Sequence, residues 1–327
     1  MKLPAEVYPR IEAWSLTEPV SEAEFLRREI GLDVQAVSPS DLQAKLSTDR
    51  VSVVVISEAT PYRDLLHGAP PGSVVAFLIS DEGYTDDRRE LIASSPAVRA
   101  VFRHYGLSAA SLGDITSAAS DFWRACRSSD VSPRVLPRLL ATGRATRARM
   151  TSWRAVQVPV HEVPLGYTTE FARAYVSTLD QPQPENASLF ALPRPIEQPR
   201  PVEITFRGSP STAQRQALVE QARHRAGNDV HWVDATWTSK PGRERALRYV
   251  QDLQASTFAL CPPGAVNTET FRYYEALLCG AQPIEPRTAL THLGRPVARG
   301  GNAHEAIRLA LHSVRHALAE VTGGPHD

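Results

Sequence analysis

Lysine is almost missing from this chain: of its 36 lysines and arginines, only Lys2, Lys45 and Lys240 are lysine. With abundant alanine and proline, that bias points to a GC-rich bacterial genome and says nothing direct about chemistry. Net charge is missing too, because 36 acidic residues bring the formal total to +0. No global pull toward nucleic acid or an anionic membrane follows. Cysteine is scarce: Cys126, Cys261 and Cys279 form an odd set without Cys-x-x-Cys spacing, as expected in a reducing cytosol. No run approaches the roughly 20 apolar residues that span a bilayer. The start, "MKLPAEVYPRIEAW", lacks the apolar core of a signal peptide. A cytoplasmic protein without a membrane span is expected. Gly-x-Ser-x-Gly, Walker A and Gly-x-Gly-x-x-Gly are absent as well, which argues against serine-hydrolase, P-loop and dehydrogenase chemistry.

What is present is α/β texture, in a chain whose 327 residues suit two cores better than one. "VSVVVI" (51–56), "SVVAFLI" (73–79) and "VRAVFRHY" (98–105) read as strands, separated by the helical stretches "PYRDLLHGA" and "TDDRRELIASS". Continuous apolar strands alternating with helices predict a parallel sheet covered on both faces. "SEAEFLRREIGLDVQAVSPSDLQAKL" adds a helix, a strand and a helix before them. Residues 180–201 are proline-dense and lack helical periodicity, as in a linker. A second series follows: strand "VEITFRG", helix "STAQRQALVEQARHRAG", strand "DVHWVDA", helix "RERALRYVQDLQAS", strand "TFALCP", helix "NTETFRYYEALLCG" and short strand "AQPIEP". The expected organisation is an amino-terminal domain over 1–168, a linker over 169–201, a carboxyl-terminal domain over 202–301 and a final helix from 302 to 327 that packs back across the domains. In that helix Ile307, Ala310, Leu311, Val314, Ala317, Leu318 and Val321 share one arc. His304, Arg308, His312 and His316 share another, read as a solvated face because no third ligand accompanies His312 and His316.

In open parallel sheets, ligands bind outside the carboxyl ends of strands, which directs attention to "FALCPPGAVNTETFRYYEALLCGAQPIEP". Two prolines stop the strand, Gly264 allows a path that a side chain would obstruct, Asn267 is a candidate N-cap and Gly280 a candidate C-cap. On the helix, Thr268, Arg272, Glu275 and Cys279 form a narrow stripe. Free N–H groups and the positive dipole end favour an anion at its start, and Arg272 adds a fork of donors suited to phosphate. Glu275 suits the two hydroxyls of a ribose. The alternative is an exposed Arg272–Glu275 ion pair of little energetic value. Cys261 has no histidine placed beside it and reads as a small buried residue. The arginines between Arg138 and Arg154 read as solvated surface, since Trp153 is their only interleaved aromatic. No nucleic-acid partner is expected.

The same stretch resembles the donor-site signature of exostosin-like glycosyltransferases, in particular the ribitol xylosyltransferase branch. Cys261, Pro262, Gly264, Glu269, Thr270, Arg272, Glu275, Ala276, Gly280 and Pro283 fit that pattern. "FRGSPSTAQR" (206–215), "LISDEGY", "VFRHYG" and "VPLGYT" are similar to further family segments, more faintly. The resemblance implies a GT-B fold, with two Rossmann-like domains whose parallel sheets face a central cleft. It implies an inverting transfer from a nucleotide sugar, by analogy a UDP-sugar, to a glycan or small-molecule hydroxyl. No cofactor or metal is implied, and the sequence has no Asp-x-Asp. Donor contacts would come from Arg207, Gly208, Ser209, Arg215, Gly264, Asn267, Thr268, Thr270, Arg272 and Glu275. An inverting transfer needs a base for the acceptor hydroxyl, placed after an amino-terminal strand. Glu82 and Asp81, directly after "VVAFLIS", are the candidates, with His104 and Asp114 as rivals. Two other functions remain open: a noncatalytic two-lobed binder of nucleotide or sugar, and a nucleotide-sugar epimerase of the same architecture.

Overall fold

The computed structural model describes residues 10–18, 21–48, 50–79, 87–104, 157–192, 200–207, 219–220, 224, 230–233, 243–262, 270–284 and 303–323. The first unit begins with β1 (Ile11–Ser15) and α1 (Ala23–Phe25), which continues into one wide π-helical turn, Leu26–Ile30. Then come β2 (Leu32–Ala36), α2 (Pro39–Leu46), β3 (Ser52–Ile56), α3 (Arg63–Gly68), β4 (Val74–Leu78), α4 (Asp87–Ser94), β5 (Val98–Arg103) and β6 (Val160–Glu162). All six strands are parallel, in the order β2-β1-β3-β4-β5-β6. Every residue of β3 and β4 is buried, which explains why these strands are apolar throughout rather than alternating. β1 and β6 were not anticipated: β1 places Glu12 in solvent, and β6 is three half-buried residues.

The second sheet holds β7 (Val202–Arg207), β8 (Val230–Val233), β9 (Ser256–Leu260) and β10 (Gln282–Ile284), all parallel, in the order β10-β9-β7-β8. Its described helices are α6 (Arg243–Ala255) and α7 (Phe271–Leu278). Both sheets are compatible with Rossmann-like folds.

The stretch expected to be a linker is packed in its described part. Helix α5 (Thr169–Ser177), capped by the Thr168 hydroxyl, buries Phe171, Ala172, Ala174 and Tyr175. A 3-10 turn at Leu189–Ala191 buries Leu189 and Phe190. These residues belong to one core that runs from Val53, Val75 and Phe102 of the first sheet to Ala259 and Tyr274 of the second unit. The last helix, α8 (Ala303–Thr322), adds Ile307, Leu311, Val314 and Leu318 to that core. Its Arg315 donates to the backbone carbonyls of Arg28 and Glu29, capping the end of the π turn in the first unit. His316 lies on the solvated face and reaches Glu320. His304 corrects the wheel reading: it is buried against Phe190, with Nε2 2.9 Å from the Leu277 carbonyl. The core's turn into α5 requires a glycine. Gly166 has φ +71°, and a Cβ there would lie 2.1 Å from the Phe25 ring. Among the described residues, no helix is long and apolar enough to cross a membrane.

Candidate functional site

Parallel strands end together, so the carboxyl edge of the second sheet gathers the residues after β7 and β9. Thr205 is level with Ala259, which sets Arg207 beside Cys261 at that edge. Cys261 is buried, and burial pushes its thiol pKa well up, so it is an inert packing residue rather than a nucleophile. The Arg207 guanidinium pairs with Asp252 of α6 at 2.5 Å.

Helix α7 starts at this edge. Its N-cap is Thr270, with extended φ −146° and its hydroxyl accepting from the Arg272 N–H at 3.4 Å. The cap of α7 is therefore Thr270 and not Asn267, which lies outside the described residues. Arg272 is the second helical residue. Its Nε donates to the Arg207 carbonyl at 2.8 Å, and its guanidinium lies 5.8 Å over the ring of buried Phe206. A cation is thus pinned at the dipole end that already favours anions, at the mouth of a parallel sheet.

The opposite end of α7 is held by three other elements. Gly280, at φ +74°, and Ala281 return their N–H groups to Leu277 and Ala276 in a Schellman turn. Side chains from elsewhere also reach carbonyls of this turn: His304 that of Leu277, the Tyr175 hydroxyl that of Leu278 at 3.1 Å, and Arg200 that of Cys279 at 3.0 Å. Arg200 also donates to Leu253 and Ser256 at the junction of α6 and β9. The helix therefore has a fixed axis, and its amino end has a fixed aim.

Glu275 has a different position from the one expected. It is 3% exposed. Its Oε1 accepts from the Thr168 N–H at 3.1 Å and the Thr168 hydroxyl at 2.9 Å, and its Oε2 from the Tyr249 hydroxyl at 3.0 Å. Burial pushes its pKa up, while Thr168, Tyr249 and the charge of Arg272 pull it back. With both oxygens taken by protein donors, it is placed neither to receive ribose hydroxyls nor to form an exposed pair with Arg272. No local signal marks this contact, because Thr168 is 107 positions away.

His104 is corrected as well. It follows β5 as expected, but it is fully buried between the ring edges of Phe25 and Phe77, and neither ring nitrogen has a hydrogen-bond partner. Burial, with Arg88 nearby, holds its pKa down to about 3. A neutral imidazole sealed in the core does not meet an acceptor hydroxyl. Asp81, Glu82, Asp114, Gly208, Ser209, Arg215, Gly264, Asn267 and Thr268 lie outside the described residues. Among the described residues, no group of three or more metal-ligating side chains gathers.

Residues 190–295 match the family model described as the RXYLT1 C-terminal domain. That span contains β7 through β10, with Arg207, Thr270 and Arg272. Over 88 residues the chain is 34% identical to ribitol-5-phosphate xylosyltransferase 1 of Mus musculus. The chain is related to a glycosyltransferase family. The aligned segment covers 26% of this chain and 20% of the mouse protein, so the chain matches only a small part of that relative's length.

Proposed function

We propose that the chain is an inverting glycosyltransferase of GT-B type, taking its sugar from a nucleotide-sugar donor, by family analogy a UDP-sugar. The observation that carries this reading is Arg272 at the amino end of α7. A guanidinium, a helix terminus and the carboxyl edge of a parallel sheet converge there, inside the segment that matches the RXYLT1 C-terminal domain. In this role the diphosphate sits on the helix start. Arg272 and the backbone N–H groups of residues that follow β7 and β9 in the sequence (Gly208, Ser209, Gly264, Asn267 and Thr268) stabilise its charge as the bond between the sugar and the diphosphate breaks. Arg215 adds positive potential, Arg207, itself paired with Asp252, holds Arg272 through its carbonyl, and Thr270 contributes as the cap.

The acceptor hydroxyl approaches from the first unit. Glu82 or Asp81, which follow β4 in the sequence, takes its proton as the oxygen attacks the anomeric carbon. The acceptor is a glycan or a small molecule.

The test is to incubate the chain with a panel of nucleotide sugars and candidate acceptors and to follow free nucleoside diphosphate. Donor-dependent release that rises with acceptor is the expected result, with turnover lost in Glu82→Gln or in Asp81→Asn. Binding of nucleotide without release under any acceptor would instead favour a noncatalytic binder. Conversion of the sugar without release would favour an epimerase.

A further inference from the structure

Two buried carboxylates from opposite ends of the chain hold adjacent residues. Glu29, fully buried on the π turn of the first unit, accepts from the Tyr167 hydroxyl at 2.8 Å, the Ser188 hydroxyl at 2.6 Å and the Leu189 N–H at 2.7 Å. One residue on, Thr168 donates both its N–H and its hydroxyl to Glu275. The same Thr168 hydroxyl oxygen accepts from Phe171 and so caps α5. Its bond to Glu275 therefore joins the head of α5 to the middle of α7. Tyr249 adds α6 to that junction.

A buried carboxylate is an expensive way to fasten helices, because desolvation opposes it and an apolar side chain of similar volume would often hold as well. What the carboxylate adds is directional: it is three residues after Arg272 on α7, and so on the same face. Where Glu275 is held, Arg272 is aimed.

We infer that Glu275 is a positioning residue of the diphosphate site, acting through Arg272, and that Thr168 and Tyr249 are its anchors. The inference rests on the donor-site reading of α7 and assigns Glu275 no contact with substrate.

The test compares UDP and inorganic pyrophosphate, which lacks ribose, on the wild type, Thr168→Val, Thr168→Ser, Tyr249→Phe and Glu275→Ala. Melting temperature is read alongside. Thr168→Val is expected to weaken both probes by about three- to tenfold, with Thr168→Ser restoring them. Tyr249→Phe should weaken both in the same sense. It carries the test alone if Thr168→Val does not fold. Wild-type affinities in Thr168→Val and Tyr249→Phe, with only the melting temperature lowered, would reduce the junction to a fastening and overturn the inference. Loss of UDP but not pyrophosphate in Glu275→Ala, with the Thr168 and Tyr249 variants unchanged, would overturn it in favour of a ribose contact. A wild type that binds neither probe removes the donor-site reading itself, and is seen before any variant is compared.

Discussion

His104 shows how position after a strand can mislead about a residue's role. The carboxyl end of β5 is where acid–base residues of such sheets are sought, yet the imidazole is sealed among aromatics. Its folded pKa is about 3, against 6.5 for the free group. Between those values the unfolded chain binds the extra proton, so stability falls as pH drops through the window. From neutral pH to about pH 5 this one group costs about 2 kcal/mol. His104→Leu removes both the titration and two unpaired polar atoms. Urea unfolding near neutrality and near pH 5 should show the variant losing less stability on acidification than the wild type. An unchanged pH dependence would contradict this account of the site. Thr168, Tyr249 and Glu29 were not legible as a group in the sequence, because distant elements bring them together. That Arg272 lies on a helix closed by Gly280 was legible, because those signals are local to the helix.

Helix α7 is the element on which the functional reading depends. Its carboxyl end was readable: Gly280 takes the left-handed conformation at the turn. Gly280 is exposed, so its replacement tests backbone conformation and little else. Gly280→Ala should cost roughly 1–2 kcal/mol in denaturant midpoint analysis, and Gly280→Asn less, since asparagine tolerates that conformation. Equal costs would mean that packing rather than φ sets the penalty. The amino end was less readable. Asn267 and Thr270 are both good caps, and choosing between them depends on where the loop from β9 delivers the chain. Strands were predicted where burial on both faces made them continuously apolar, as in β3 and β4. β1, with Glu12 in solvent, and β6, three half-buried residues, were not predicted.

At the scale of the molecule, two parallel sheets were legible from the alternation of strands and helices. Their joining through one core was not. Proline density over 180–201 suggested a spacer, whereas helix α5 and the turn at Leu189–Ala191 bury aromatic side chains against both units. Composition reports the cost of helix formation along that segment, not the packing surfaces waiting for it.

The central claim is that the amino end of α7 holds a nucleoside diphosphate, and the most direct check is calorimetric titration of UDP into the wild type and Arg272→Ala. The account predicts saturable binding by the wild type and a loss of roughly 10- to 100-fold in the variant, the worth of a charge-assisted contact to phosphate. Equal affinity in the two proteins, or no nucleoside diphosphate bound by the wild type, would contradict it.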